Sequence, residues 1–307
     1  MTDSTFKYTV IIPHYVKQPG QLDLVLRLLA SLPQRQDLQV LVVDNSPQPI
    51  DAAALLAQAG DLARTASLEV LFSEPGRGAG RARNVGLQHA RGRWLLFADA
   101  DDYYAPDCFE VLDRELKDDT DILYFNVFGQ GGRVARVHRY YEQYAQTGRQ
   151  QLVRYMIWAP WNKVIARRLV EEKGLLFEET SIGNDAMFSL CASRDAQIIQ
   201  IVQHRLYCLT DQAGSITFDK RPFAKELESL QVRIRINRFL MEQGMGRYRI
   251  DLVSPWSLVA LCCRYGGRQT RQYLKELKQS FPLGSELLRG CYAPLIRFGR
   301  RIKTRLS

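Results

Sequence analysis

Hydrophobic and polar positions in the first hundred residues switch repeatedly between two periods. Tyr8–Pro13 (YTVIIP) is short and β-branched and predicts a strand, whereas Leu22, Val25, Leu26 and Leu29 recur at helical spacing within Gln21–Ser31. Leu38–Asp44 (LQVLVVD) is almost continuously apolar, as strands buried on both faces are. A helix is predicted over Asp51–Ala63, a strand over Leu68–Phe72, a helix over Ala79–Ala90 and a strand over Trp94–Ala98 (WLLFA). Strands and helices taking turns across short connections predict an α/β domain, with a mostly parallel, Rossmann-like sheet and helices on both faces.

Further along, a helix is expected over Pro106–Leu116, a strand over Asp121–Phe128, a turn at Gly129–Gly132 and a returning strand over Arg133–Tyr141. Residues 149–157 and 163–172 read as helices around a Trp158–Trp161 corner. Ile182–Ser193 opens another helix, and Ile198–Thr210 contains two short strands. From about Phe218 the pattern changes to amphipathic, Arg-rich helices punctuated by Gly244–Gly246, Gly266-Gly267 and Pro282–Gly284. This shift predicts a domain of residues 1–217 and a basic helical region of residues 218–307.

Composition narrows the picture. At 307 residues, 46% hydrophobic and 24% charged, the chain has the make-up of an ordinary globular protein, which excludes disordered and collagen-like classes. No secretory signal is expected, because the first apolar run, Val10–Ile12, stops at Pro13. The longest apolar stretch, Leu252 to Cys263, is broken by Pro255 and falls short of the roughly 20 residues a membrane span needs. Six cysteines without a C-x-x-C pair read as reduced thiols of a cytoplasmic protein rather than as zinc ligands. The net charge of +9 is unevenly held: residues 220–307 carry 19 Lys+Arg against 6 Asp+Glu, while the remainder is slightly acidic.

Ligands of open α/β sheets gather at the carboxyl ends of the strands. At those ends stand Pro13-His14-Tyr15, Asp44-Asn45-Ser46 and Asp99-Ala100-Asp101-Asp102. Three acids within four positions repel one another and lose solvation, a cost that a divalent cation removes; oxygen ligands select Mg²⁺ or Mn²⁺, which keep sites for phosphate oxygens. The plainer alternative makes these acids helix caps, and Asp44 a turn residue. Gly76–Asn84, with Arg77, Arg81 and Arg83 among glycines, lets backbone approach a ligand and supplies planar donors for base, ribose or phosphate.

Taken together, VIIPHY, LQVLVVDNS, GAGRARNVGLQHARGRWLLFADADDYYAPD, WNKVIARRLV, GNDAMF and LYCLTDQAGSIT resemble family 2 glycosyltransferases of the GT-A fold, over roughly Thr9 to Thr217. The resemblance implies an inverting, metal-dependent transfer from a nucleotide-sugar, usually UDP-linked, to a saccharide or lipid-linked acceptor. It places Pro13, Tyr15 and Asp44 at the base, Arg81, Arg83 and Asn84 beside the nucleotide, and Asp99 at the ribose. Asp101 and Asp102 fall to the metal, Mn²⁺ or Mg²⁺. Gly183-Asn184-Asp185 matches a G-E-D segment whose second acid is the catalytic base, so Asp185 takes that role, with Asn184 standing where the family has an acid. An N-cap role for Asp185 is the alternative. Trp161 and Asn184 are placed near the acceptor. The family's late metal-binding His has no counterpart in Thr210–Ser215; His204 reads as a packed strand residue, and Asp211 is the substitute at hand.

Arg289–Ser307 has six basic residues, no acid, and Leu295, Ile296, Phe298, Ile302 and Leu306 interleaved at near-helical spacing. That suits a helix lying on an anionic membrane surface, or one docked on the domain. The expectation is a cytoplasmic enzyme, peripheral on the inner face of the membrane, acting in surface polysaccharide or lipopolysaccharide synthesis. A sugar nucleotidyltransferase also uses carboxylate-held metal on such a sheet. A nucleic-acid-binding protein would account for the net charge, but acids converging on one sheet edge would repel phosphate, so no nucleic-acid partner is expected.

Overall fold

The computed structural model describes residues 6–16, 21–210 and 222–287. Asp211–Ser215 and the Arg289–Ser307 stretch, both singled out in the sequence, lie outside the described residues. The chain divides into two compact units near residue 218.

The first unit is an eight-stranded mixed sheet with strand order β3-β2-β1-β4-β7-β6-β8-β5. Strands β1 (Tyr8–His14), β2 (Leu38–Asp44), β3 (Ser67–Phe72) and β4 (Trp94–Phe97) pair in parallel. Every residue of β1, β2 and β4 is buried, as their unbroken apolar runs require. Helices α1 (Gln21–Ala30), α2 (Ala52–Gln58), α3 (Asp61–Thr65) and α4 (Gly78–His89) connect them; the predicted single helix over 51–63 is divided at Gly60. The register sets His14 beside Asp44, so the ends of β1 and β2 deliver both side chains to one edge.

Beyond β4 the alternation stops being a guide. The short β5 (Tyr103–Tyr104) and helix α5 (Cys108–Glu115) precede β6 (Ile122–Gly129). The strand expected over 133–141 is instead helix α6 (Gly131–Thr147), with Val134, Val137 and Tyr141 buried. Those positions repeat at three and four residues, a helical period that polar and aromatic neighbours hide. Conversely, the helix expected over 163–172 is part strand. After α7 (Gln151–Met156), β7 (Lys163–Ala166) runs antiparallel between β4 and β6, and only α8 (Arg167–Lys173) is helical. Four buried residues, Lys163 to Ala166, are too few to display any period. Helix α9 (Ala186–Asp195) leads to β8 (Ile199–Leu209), a single strand with register shifts opposite Tyr124–Val127 rather than two.

The second unit contains α10 (Phe223–Glu242) and α11 (Pro255–Ser280), packed through Leu230, Ile234, Leu252, Val253, Leu261 and Tyr273. Gly266, at φ 81° and ψ 166°, interrupts α11 in a conformation that side chains with a Cβ rarely adopt. No helix among the described residues is long and apolar enough to cross a membrane.

Candidate active site

The carboxyl ends of β1, β2 and β4 form the edge on which the sequence motifs meet. Asp44 is buried there and locally saturated: its Oδ1 accepts from Ser46 Oγ at 2.5 Å and from His14 Nδ1 at 3.1 Å, and its Oδ2 accepts from Ile50 N–H at 3.0 Å. Burial works to raise the Asp44 pKa, but the hydrogen bonds from His14, Ser46 and Ile50 outweigh it and hold the carboxylate below its ordinary range. Asp44 therefore shapes the β2 turn as well as facing the edge. Pro13 is buried in β1 opposite Val43, and Tyr15 is 42% exposed.

Arg83, on α4, is the hub of the site. Its side chain is 6% exposed, and it donates through Nη2 to Asp99 Oδ1 at 2.7 Å and through Nη1 to Asn184 Oδ1 at 2.9 Å. One guanidinium thus joins the acids after β4 to the segment before α9, where Asn184 lies 101 residues beyond Arg83 in sequence. The close approach of α4 to this segment requires Gly80, where an added Cβ would stand 2.1 Å from the Glu178 carbonyl oxygen. Arg81 reaches the same segment, donating to Glu179 at 3.3 Å.

Asn84, expected beside the nucleotide, is a staple. Its Oδ1 accepts the Phe177 N–H at 2.8 Å and its Nδ2 donates to the Phe177 carbonyl at 3.0 Å, so its amide is committed to backbone. An Asn84→Leu substitution strands both Phe177 groups, and unfolding titrations should show a loss of about 3 kcal/mol. An unchanged midpoint would mean that the 177–184 segment is held by other contacts.

The acids after β4 divide their duties. Asp99 pairs with Arg83 and its N–H donates to the Tyr207 hydroxyl at 2.8 Å. Asp101 remains partly exposed; burial and the neighbouring Asp99 charge raise its pKa, while Arg133 and Arg27 pull the other way. Asp102, expected as a metal ligand, is 1% exposed, and its Oδ1 accepts the Thr210 N–H at 2.8 Å. Burial, Asp99 and Asp101 push its pKa up to about 8. Asp102 thus fastens the end of β8 to the acid loop, reinforced by Thr210 Oγ1 donating to the Asp101 carbonyl at 2.6 Å.

Asp185 heads α9, yet its side chain makes no capping hydrogen bond, so the cap alternative does not account for it. It is half-buried; burial raises its pKa, Arg83 lowers it, and the Asp99 charge raises it again. The Asp99 charge acts on Asp101, Asp102 and Asp185 alike, which places all four acids in one electrostatic neighbourhood. Asn184 spends its carbonyl oxygen on Arg83 and its Nδ2 reaches the Thr180 carbonyl at 3.4 Å, so it organises the segment rather than facing outward freely.

Two aromatic and histidine expectations are corrected. Trp161 is 5% exposed and lies flat against Tyr207, 5.8 Å between centroids and 3° between planes. Its ring face is consumed in supporting the tyrosine that receives the Asp99 N–H, and the partly exposed indole of the corner is Trp158. His204 is exposed, beside Arg114 and Glu115, because β8 bares residues 203–205.

Sequence reading missed Lys163. It is wholly buried, donates from Nζ to the carbonyls of Ala159 at 2.8 Å and Ile157 at 3.1 Å, and so closes the Trp158 corner. Burial lowers its pKa to about 7, against the attraction of Asp185. Between pH 7 and its ordinary value of 10.5 the unfolded chain holds a proton that the folded chain has released, so this group makes stability rise with pH. Lys163→Met should flatten that rise in thermal melts taken across the interval; an unaltered slope would show that Lys163 stays charged in the fold.

A mixed sheet of this order with acids after its fourth strand defines a GT-A-type architecture, and solved structures agree. The Staphylococcus aureus TarS fragment 1–349 in complex with UDP-GlcNAc matches with a TM-score of 0.57 at 20% identity, over 77% of this chain and 67% of that one. A Pyrobaculum calidifontis mannosyltransferase, PcManGT, in complex with GDP-Man and Mn²⁺ matches with a TM-score of 0.56 at 14% identity, over 96% and 80%. The sequence profile of Glycosyl transferase family 2 matches residues 9–172, and the chain belongs to that family. Among curated relatives, an uncharacterized glycosyltransferase EpsJ of Bacillus subtilis is 28% identical over 68% of this chain and 62% of its own length. The succinoglycan biosynthesis protein ExoW of Rhizobium meliloti is 40% identical over 33% of this chain and 31% of its own. The chain thus spans about three-fifths of EpsJ and less of ExoW.

Proposed function

We propose that this protein transfers a sugar from a nucleotide-sugar, UDP-linked, to a hydroxyl of a saccharide or lipid-linked saccharide in surface polysaccharide synthesis, with inversion and with a divalent cation. The observation that carries the reading is the Arg83 bridge, which gathers the acids after β4 and the Asp185 segment around one edge of the sheet. UDP-GlcNAc bound to the TarS fragment supports the donor class, and the name of ExoW supports the setting.

The residues fit a magnesium-type ion. Asp101 and Asp102 are both held in an acid-raising environment, a sign of negative charge without compensation. Among the described residues no group of three or more His, Cys, Asp or Glu side chains could hold an ion by itself. Mg²⁺ and Mn²⁺ are commonly held through one or two carboxylates plus phosphate oxygens of the substrate. Asp101, the more open of the pair, would hold the ion. When bound, the ion neutralises charge building on the departing nucleotide diphosphate.

The chain's own groups supply the rest. Asp44 and Tyr15 receive the base, and Asp99, fixed by Arg83 and Tyr207, receives the ribose. Asp185 takes the proton from the acceptor hydroxyl as that oxygen attacks the anomeric carbon. Its burial raises its affinity for that proton, and the Arg83 charge pulls the other way. Trp158 offers a partly open indole for the acceptor ring. A thermal-shift panel of UDP-, GDP- and CMP-sugars, with and without Mn²⁺, tests the reading: stabilisation by a UDP-sugar that depends on Mn²⁺ is expected. Stabilisation by none of them would overturn it.

A further inference from the structure

We propose that the outward face of the first three turns of α11 is a docking surface for an anionic lipid bilayer. It involves none of the residues of the candidate active site and none of the Arg289–Ser307 stretch.

Helix α11 starts firmly, with Pro255 in its first turn and a capping box in which Ser254 Oγ accepts the Ser257 N–H at 3.1 Å and Ser257 Oγ accepts the Ser254 N–H at 2.7 Å. Leu258, Leu261 and Tyr265 then point into the helical core. Helical geometry leaves the opposite side to Trp256, Val259 and Cys263, at spacings of three and four residues. Trp256 is 81% exposed and Val259 is 58% exposed. One exposed apolar residue needs no account, but a tryptophan, a valine and a cysteine stacked along successive turns form a stripe that water does not favour.

Charge identifies what covers the stripe. Immediately after it, Arg264 and, past the Gly266 break, Arg268 and Arg271 are all exposed. No acid occurs between Asp251 and Glu276. A short helix with an apolar stripe led by tryptophan and followed by unopposed arginines has the make-up of an interfacial helix, the indole seated at the headgroup level and the guanidinium groups on lipid phosphates. A second copy of the chain is the poorer occupant, because it would bring the same Arg264, Arg268 and Arg271 to the contact, with no acid between Asp251 and Glu276 to oppose them. Nucleic acid would satisfy the arginines and leave the stripe in water.

The test uses the full chain and sedimentation with vesicles of phosphatidylcholine, with and without phosphatidylglycerol. Binding to the anionic vesicles alone is expected, weakening as salt is added. Trp256→Ser with Val259→Ser should lower the partition coefficient by about tenfold or more. Arg264→Gln with Arg268→Gln and Arg271→Gln should lower it by roughly a hundredfold, at about fivefold for each charge. Brominated lipid should quench tryptophan fluorescence in the wild type and lose most of that effect in Trp256→Phe, which still binds. Unaltered far-UV circular dichroism establishes that the variants fold. The proposal fails if the chain ignores both vesicle types, binds both equally, or binds undiminished without the stripe. It also fails if the serine variant instead abolishes a dimer seen by light scattering, which would assign the stripe to a second copy.

Discussion

Asp185→Asn is expected to reduce sugar transfer by about a thousandfold, the usual range for losing a positioned general base, while leaving nucleotide-sugar affinity nearly unchanged. The separation follows from geometry. Asp185 makes no capping bond at the head of α9, so an isosteric amide removes no structural contact there. In the proposed reading donor groups fall to Asp99 and Asp101, which Arg83, Tyr207 and Thr210 position without it. Initial rates on any acceptor that saturates the wild type, alongside a donor titration, measure both quantities. In the wild type, the acid limb of kcat/KM should lie above the ordinary aspartate range, because burial favours the protonated form. Wild-type turnover in Asp185→Asn would remove it as the base.

Asp101→Ala should lower kcat/KM for the donor by about a hundredfold, with the remaining activity no longer responding to Mn²⁺. Asp101 is the partly exposed member of its pair, whereas Asp102 is buried and spends an oxygen on Thr210. Asp102→Asn should therefore act differently, keeping the Thr210 hydrogen bond and much of the ion response. The comparison is informative because the two carboxyls share one loop but differ in setting: Asp101 is partly exposed, whereas burial, Asp99 and Asp101 push the Asp102 pKa up to about 8, so near pH 7 the Asp102→Asn change removes little charge. Equal losses in the two variants would assign the ion to both carboxylates, and no loss in Asp101→Ala would remove the ion site.

The parallel half of the sheet was legible in the sequence because its strands are long, buried on both faces and separated by helices of clear period. The motifs at their ends were legible for the same reason: each begins where an apolar run stops. What escaped was decided by contacts remote in sequence. Lys163 looks like a surface residue at the start of a helix, and only the return of β7 between β4 and β6 buries it beneath the Trp158 corner. Asn84 and Asn184 look like ligand donors until Phe177 and Arg83 occupy them. Trp161 was placed near the acceptor by the resemblance, and its burial against Tyr207, 46 positions on, could not be read from the local sequence. Helix α6 was read as a strand because three buried positions among many polar ones gave too weak a period. Asn184 in place of an acid has a physical reading here: its amide oxygen still accepts from Arg83, and the charge it omits leaves Arg83 to act on Asp185.

The crowding of acids at the end of β4 makes sense when a cation and a diphosphate complete it, and calorimetric titration of UDP into the wild-type chain examines this directly. In Mn²⁺ the titration should give one site per chain, at least about tenfold tighter than in EDTA. Equal affinity in the two buffers, or no heat from UDP in either, would contradict it.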